Sequence, residues 1–230
     1  MIDVTVNEII DLAAVSGRQL LFADEAGALL KSIGIPVSPC RVALDEEETV
    51  QAAAAIGYPV VLKVRSPEVV HKSEVGGVCL ALTGEYSVRS AYREMMRKAR
   101  MVDRQAQVTV QPMAVPGVEV LIGMTTDAQF GQVVAFGLGG IFVEVLDDIT
   151  FRQVPLQEKD ALDMLLSIKG STILKGYRGS GPVDTNALTE IILNISKLAE
   201  HHPRIREIDL NPVFAYPVGA LVVDARIVIF

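Results

Sequence analysis

Near the C-terminus, Glu207, Asp209 and Asn211 alternate with Ile208 and Leu210 and are followed by Pro212; a further acid, Asp224, stands in the apolar run 221–226. Alternate side chains of a strand share one face, so this spacing would present three oxygen-bearing groups to the same side. Pro212 is expected to end ladder pairing. Residues 215–219 (Ala-Tyr-Pro-Val-Gly) are turn chemistry, and the next apolar run returns antiparallel, carrying Asp224 back beside Asn211. Two aspartates and an asparagine on paired strands make a hard-oxygen site suited to Mg²⁺ held together with substrate phosphates. The plain alternative is the polar outer face of an edge hairpin.

Upstream segments offer groups that such a site would need. Lys63 lies inside the apolar strand pattern 59–64, where a lysine needs an anionic partner or a wet cleft; it either reaches a phosphate or guards a sheet edge. The loop 66–77 contains His71, Lys72, Gly76 and Gly77. Its glycine-bearing backbone can form an anion nest with Lys72 adding charge, or it is a plain turn. His71 is either structural or a group that binds or accepts a phosphoryl. The Pro/Gly-rich crossing 110–120 offers main-chain groups to an adenine edge, and Glu119 after it can accept from ribose hydroxyls, or the segment is an exposed hairpin. Two further glycine-rich loops occur at 136–140 and 170–181, and Arg152 follows the first as a candidate to balance transferring charge. The first loop precedes strand-like residues and not a helix, which excludes a Rossmann reading.

These groups must be positioned by a chain of 230 residues with 50% hydrophobic content, enough for one large or two small cores. A net charge of −7 points away from nucleic acid and anionic membranes. Two solitary cysteines, Cys40 and Cys79, fit a reducing, cytoplasmic setting, and neither a signal peptide nor a membrane span is expected. The periodicity predicts helices over 17–33, from Asp45 to Gly57, and over 85–101, 157–167 and 185–201. It predicts strands at 37–43, 59–64, 77–82, 107–112, 118–125, 131–137, 141–146 and 150–154, and then the terminal hairpin. We therefore expect an α+β fold in two lobes, residues 1–105 and 106–230, with a ligand cleft between them.

In their order along the chain, the lysine strand (Tyr58 to Lys63), the loop His71 to Gly77, the segment 137–144 and Asp209-Leu-Asn-Pro212 with Asp224 carry a resemblance. They resemble the ATP-grasp domain of ADP-forming acyl-CoA synthetases, specifically the separate β subunit of acetate-CoA ligase, related to the succinyl-CoA synthetase β subunit. The resemblance implies an ATP-grasp fold with two α+β lobes around ADP or ATP. It implies that Lys63 and Lys72 meet nucleotide phosphates, with the loop of Gly76 and Gly77 over them. Gln111, Met113 and Ala114 would hold adenine and Glu119 ribose. Asn211 and Asp224 would bind Mg²⁺, and Asp209 would steady a phosphohistidine, with His71 as a relay. The chain shows no CoA-binding half, so the resemblance also implies a CoA-binding α subunit that carries the catalytic histidine, in an α2β2 heterotetramer. Two other readings are a carboxylate–amine ligase of the broader ATP-grasp type and a non-catalytic adenine-nucleotide sensor.

Overall fold

In the computed structural model, which describes residues 5–69, 76–140, 148–177 and 181–230, capping chemistry sets where helices begin. The Thr5 hydroxyl accepts from the Glu8 N–H while the Glu8 carboxylate accepts from the Thr5 N–H, a capping box that opens α1 (Val6–Val15). Asp45 accepts from the Glu48 N–H at 2.8 Å and opens α3 (Glu46–Ile56). The expected single helix over 17–33 is instead a non-helical stretch up to Phe22 followed by α2 (Ala23–Ser32), and α1 precedes it. Residues ahead of α2 are drawn into a strand contact: Leu20 bridges Val228, and the Leu21 N–H donates to the Ile227 carbonyl at 3.0 Å. Tertiary pairing there overrides helical periodicity.

The chain forms two compact units, one of Phe22–Gly27 and Ser38–Val115, the other of Met1–Leu21, Ala28–Val37 and Pro116–Phe230. The expected 105/106 boundary differs by ten residues because β4 (Gln107–Pro112) belongs to the first unit's sheet, where it pairs β2 (Val60–Arg65). That sheet also contains β1 (Arg41–Ala43) and β3 (Val78–Leu82), in the order β1-β4-β2-β3, all antiparallel. Val60, Leu62 and Val64 of β2, with Val108 and Val110 of β4, bury against α3 and α4 (Glu85–Val102) through Ala53, Val88, Met95 and Met96. Each large apolar side chain buried in this way stabilises by about 1.5–3 kcal/mol.

The second unit is built on a six-stranded sheet of order β10-β8-β5-β6-β7, with β9 pairing β8. Its strands are β5 (Val118–Asp127), β6 (Gly131–Leu138), β7 (Ile149–Gln153), β8 (Ile205–Ala215), β9 (Ala220–Val222) and β10 (Ala225–Ile229). Helices α5 (Glu158–Ser167), α6 (Ser171–Leu174) and α7 (Thr185–His201) complete it, with α1 and the second half of α2. Leu188, Ile191, Ile192 and Ile195 of α7 and Met164 of α5 are buried with Ile122, Met124, Val134, Phe136 and Ile208 of the sheet. One sheet face is thus the helix-covered core face. Val37, expected within a strand, makes only an isolated bridge to Val222.

Candidate active site

On β2 of the first unit, Val60, Leu62 and Val64 take the helix face, so Val61, Lys63 and Arg65 must point the other way. Cross-strand register sets Lys63 opposite Thr109 and Val61 opposite Gln111. Lys63 and Gln111 are therefore diagonal neighbours on one face of the sheet. Lys63 is 5% exposed and Gln111 is equally buried. The strand carries Lys63 in its middle, not at a sheet edge, because β3 and β4 flank it. An ammonium removed from water at that position must meet charge or dipoles. On the same face, Arg65 pairs bidentately with Asp24 at 2.8 and 3.1 Å and donates to Gln107 at 3.0 Å. After β4, the Met113 N–H donates to the Pro59 carbonyl at 3.0 Å, and Met113 and Ala114 are half-buried. Gly77 accepts from the Val64 N–H at 2.8 Å, so the described end of the glycine loop, Gly76 and Gly77, meets β2 next to Lys63. His71 and Lys72 lie outside the described residues.

In the second unit, β8 continues through Pro212, contrary to expectation. Val120 of β5 pairs Val213 while Ile122 pairs Leu210, so Asn211 and Pro212 stand together opposite Leu121 alone. This is a bulge, which tolerates the missing proline N–H and re-aims a side chain. Leu210 and Val213 are fully buried, whereas Asn211 between them is exposed. Across the hairpin, the Asn211 N–H donates to the Asp224 carbonyl at 3.2 Å, and Val223 donates to the Pro212 carbonyl at 3.0 Å. Asp224 stands beside Asn211. Asp209 is cross-strand from Arg226 on one side and Gly123 on the other, and Glu207 pairs with Arg226 at 3.2 Å. Burial pushes the Asp209 carboxyl above its ordinary range; Glu207 and Asp224 add to the shift while Arg226 opposes it.

The pair Asn211 and Asp224 offers one amide and one carboxylate oxygen. Among the described residues no three His, Cys, Asp or Glu side chains gather for a metal. Two hard donors with open positions fit Mg²⁺, which keeps waters and phosphate oxygens as its other ligands.

Arg152 is not brought to this group. Register runs Asp209–Gly123–Ala135–Phe151 along one face and Ile208–Met124–Val134–Arg152 along the other. Arg152 thus falls in the core-face row, and its guanidinium donates to the Phe151 carbonyl at 2.9 Å. Glu119 meets the glycine loop instead. The Gly139 N–H donates to the Glu119 carbonyl at 2.8 Å, and a Cβ on Gly140 would lie 2.8 Å from Glu119 Oε2.

Asp184 fixes the turn behind the hairpin, a role its sequence context did not reveal. Its carboxylate accepts from Ala187 at the start of α7 and from Gly219 in the β8–β9 turn, at 3.0 and 2.9 Å, and its N–H donates to the Tyr216 carbonyl. The Gly219 N–H, followed by that of Ala187, holds this carboxyl below the usual range. A depressed folded pKa gives stability that is present above the unfolded carboxylate range and lost as pH falls through the folded value. Asp184→Ala is therefore expected to lower Tm by a few degrees at neutral pH, with the gap to wild type closing in acid. Thermal melts at several pH values check this; an undiminished gap in acid would show that the charge is irrelevant. Asp148 was also missed. Its one signal is an acid at the entry to β7.

The ATP-grasp domain model matches residues 12–229. The acetate–CoA ligase (ADP-forming) I subunit beta of Pyrococcus furiosus is 45% identical over 225 residues, 96% of this chain and 97% of that protein. The solved Korarchaeum cryptofilum dinucleotide-forming acetyl-coenzyme A synthetase 1 with coenzyme A, Ca-AMPCP and HgCl+ superposes at TM-score 0.93 and 44% identity, over 97% of this chain and 99% of that one. The same protein with coenzyme A and Mg-AMPPCP, its phosphohistidine segment pointing towards the nucleotide binding site, superposes at 0.86 and 44% over the same shares.

Proposed function

The chain belongs to the ATP-grasp family of ADP-forming acetate-CoA ligase β subunits, and from that premise we propose how its residues divide the work of making ATP. It is the nucleotide-binding subunit of the ligase, and ADP receives a phosphoryl group from a phosphohistidine of a CoA-binding α subunit. A P–O bond forms at the terminal phosphate oxygen of ADP as the P–N bond to imidazole breaks. The observation that carries this reading is the hairpin, where a bulge sets Asn211 against Asp224 with Asp209 two residues before it on the same strand.

Asn211 and Asp224 would hold Mg²⁺, which supplies charge neutralisation at the phosphate oxygens. Lys63 takes a phosphate oxygen, the loop of Gly76 and Gly77 covers the phosphates with Lys72, and Gln111, Met113 and Ala114 hold adenine. Glu119 accepts from the ribose hydroxyls. Asp209 accepts an imidazole N–H of the incoming phosphohistidine, holding the ring so that the phosphoryl faces ADP. His71 is the proposed relay for the same phosphoryl: on that route the P–N bond to the α-subunit imidazole breaks as a P–N bond to His71 forms, and the bond to His71 then breaks as the P–O bond to ADP forms. Arg152 is left out, because its register places it on the core face. Positioning and electrostatics account for most of the rate in such a transfer. The assembly proposed is an α2β2 heterotetramer in the cytoplasm; among the described residues no helix is long and apolar enough to cross a membrane.

The test is co-expression with a CoA-binding subunit, then ATP formation from acetyl-CoA, ADP and phosphate with Mg²⁺. Tight Mg·ADP binding without turnover on any acyl-CoA would replace this reading with a nucleotide sensor. Lys63→Met adds a sharper check. Methionine fits a site that is 5% exposed, so the fold should persist. Loss of a charge-assisted bond to phosphate costs about 1.5–3 kcal/mol, roughly ten- to a hundredfold in ADP affinity. Unchanged ADP affinity by calorimetry would remove Lys63 from the phosphate site.

A further inference from the structure

Asp148 is 4% exposed, and nothing in the phosphoryl transfer uses it. Its two carboxylate oxygens accept separate backbone donors, the Lys169 N–H at 2.6 Å and the Gly170 N–H at 2.7 Å, at the corner between α5 and α6. A buried carboxylate saturated by main-chain donors holds geometry well, since each bond is charge-assisted and shielded from water. Gly170 is pressed against β6: a Cβ there would lie 2.2 Å from Leu138 Cδ1 and 3.2 Å from Asp148 Oδ2. Asp148 also bears on β6 through its own backbone, because a Cβ on Gly137 would lie 2.7 Å from the Asp148 carbonyl oxygen. Leu138 is therefore held on both sides, and the next two residues are Gly139 and Gly140. A Cβ on Gly139 would sit 3.1 Å from the Glu119 backbone carbon, and Gly140, at φ +63°, allows the chain to pass the Glu119 carboxylate. The contacts run unbroken from the Lys169–Gly170 corner through Asp148 and Leu138 to Glu119.

We propose that Asp148 is a positioning residue for nucleotide recognition: its buried carboxylate locks Gly170 against Leu138 and so holds Gly139 and Gly140 where they orient the Glu119 carboxylate for the ribose hydroxyls. This rests on the assignment of Glu119 to ribose made above. Groups that orient metal-ligating side chains matter by roughly 10- to 100-fold in affinity or activity, and a support that orients a ribose-binding carboxylate is expected to act at the lower end of that scale. Asp148→Asn keeps the size of the side chain and turns an amide N–H₂ towards one of the two backbone donors, which loosens the corner without emptying it. Gly170→Ala disturbs the same corner from the other side.

The experiment measures binding of ADP and of 2′,3′-dideoxy-ADP, each with Mg²⁺, to the full chain. The proteins compared are wild type, Glu119→Gln, Asp148→Asn, Gly170→Ala and the double variant Glu119→Gln/Asp148→Asn, with thermal melts beside them. Wild type is expected to prefer ADP. Glu119→Gln, Asp148→Asn and Gly170→Ala are each expected to lose most of that preference, roughly tenfold, while dideoxy-ADP affinity changes little. Asp148→Asn should add almost nothing in the Glu119→Gln background, because residues acting as one unit are not additive. If Asp148→Asn does not fold, Gly170→Ala carries the same comparison. Equal weakening of both nucleotides, or full preference retained, would overturn the positioning role while leaving Glu119 in place. Preference unaffected by Glu119→Gln would overturn the ribose assignment and the inference with it.

Discussion

Asn211→Ala and Asp224→Ala are each expected to lower Mg²⁺-dependent ATP formation by about 10²–10³-fold, the usual consequence of removing a group that fixes charge at a transferring phosphoryl. The size of the effect follows from how few ligands the protein supplies. If Asn211 and Asp224 supply the amide and the carboxylate as proposed, most positions around Mg²⁺ go to water and phosphate, and losing either removes about half of the protein's hold on the ion. The fold should tolerate both changes. Asn211 is exposed, and the bond that joins it to Asp224 runs from its backbone N–H to a backbone carbonyl at 3.2 Å, which alanine preserves on either side. The measurement is ATP formation with the CoA-binding subunit over a Mg²⁺ titration, beside a thermal melt of each variant. Partial recovery at high Mg²⁺ would mark a weakened metal site. Activity within twofold of wild type in either variant would remove the pair from the metal site.

Asp209→Asn is expected to make the protein more stable and much less active. Asp209 shares its strand face with Glu207, and Asp224 adds to the repulsion, while Arg226 is already paired with Glu207 at 3.2 Å. Burial is the largest cause that raises its pKa. A raised folded pKa means that the group's favourable contribution is present below the unfolded carboxylate range, about 4, and is lost as pH rises through the folded value. At neutral pH Asp209 therefore opposes folding, and a neutral asparagine of the same shape relieves it. Tm of the variant should exceed that of wild type at pH 7, and the two should converge as pH falls. Phosphoryl transfer should drop by roughly 10²-fold, because asparagine cannot offer the partner imidazole a charged acceptor. Such an exchange of stability for activity is common where a site holds unfavourable charge. A variant that is both less stable and fully active would show that Asp209 is a structural acid.

How much of this was legible in the sequence depended on the range of the interaction that decided each element. Helix α7 was expected over 185–201 and is found at Thr185–His201, because its apolar stripe and the stop before Pro203 are both local. Strand β4 was expected and found over 107–112 for the same reason. Helix α1 was missed although its capping box, Thr5 with Glu8, stood in the sequence; the stronger apolar periodicity after Gly17 drew the helix to 17–33. The start of that stretch was lost to pairing of Leu20 and Leu21 with residues more than two hundred positions away. Pro212 misled in the opposite direction. A proline in isolation ends ladder pairing, but a bulge lets the strand run on to Ala215.

The types and order of the site residues, and with them the family, were determined by the sequence. Lysine inside an apolar strand, Asn211 on β8, Asp224 in the link between the apolar strands β9 and β10, and glycines ahead of β3 are each local chemical choices. Only the tertiary structure decided which of them share a face. Register moved Arg152 to the core face, one residue away in sequence from the row that ends at Phe151. It set Asp224 against Asn211 through a bulge, and it gathered Lys169, Gly170 and Leu138 around Asp148. The physical reason is the two-residue period of a strand. A shift of one position exchanges the faces, and strand partners distant in the chain fix that shift.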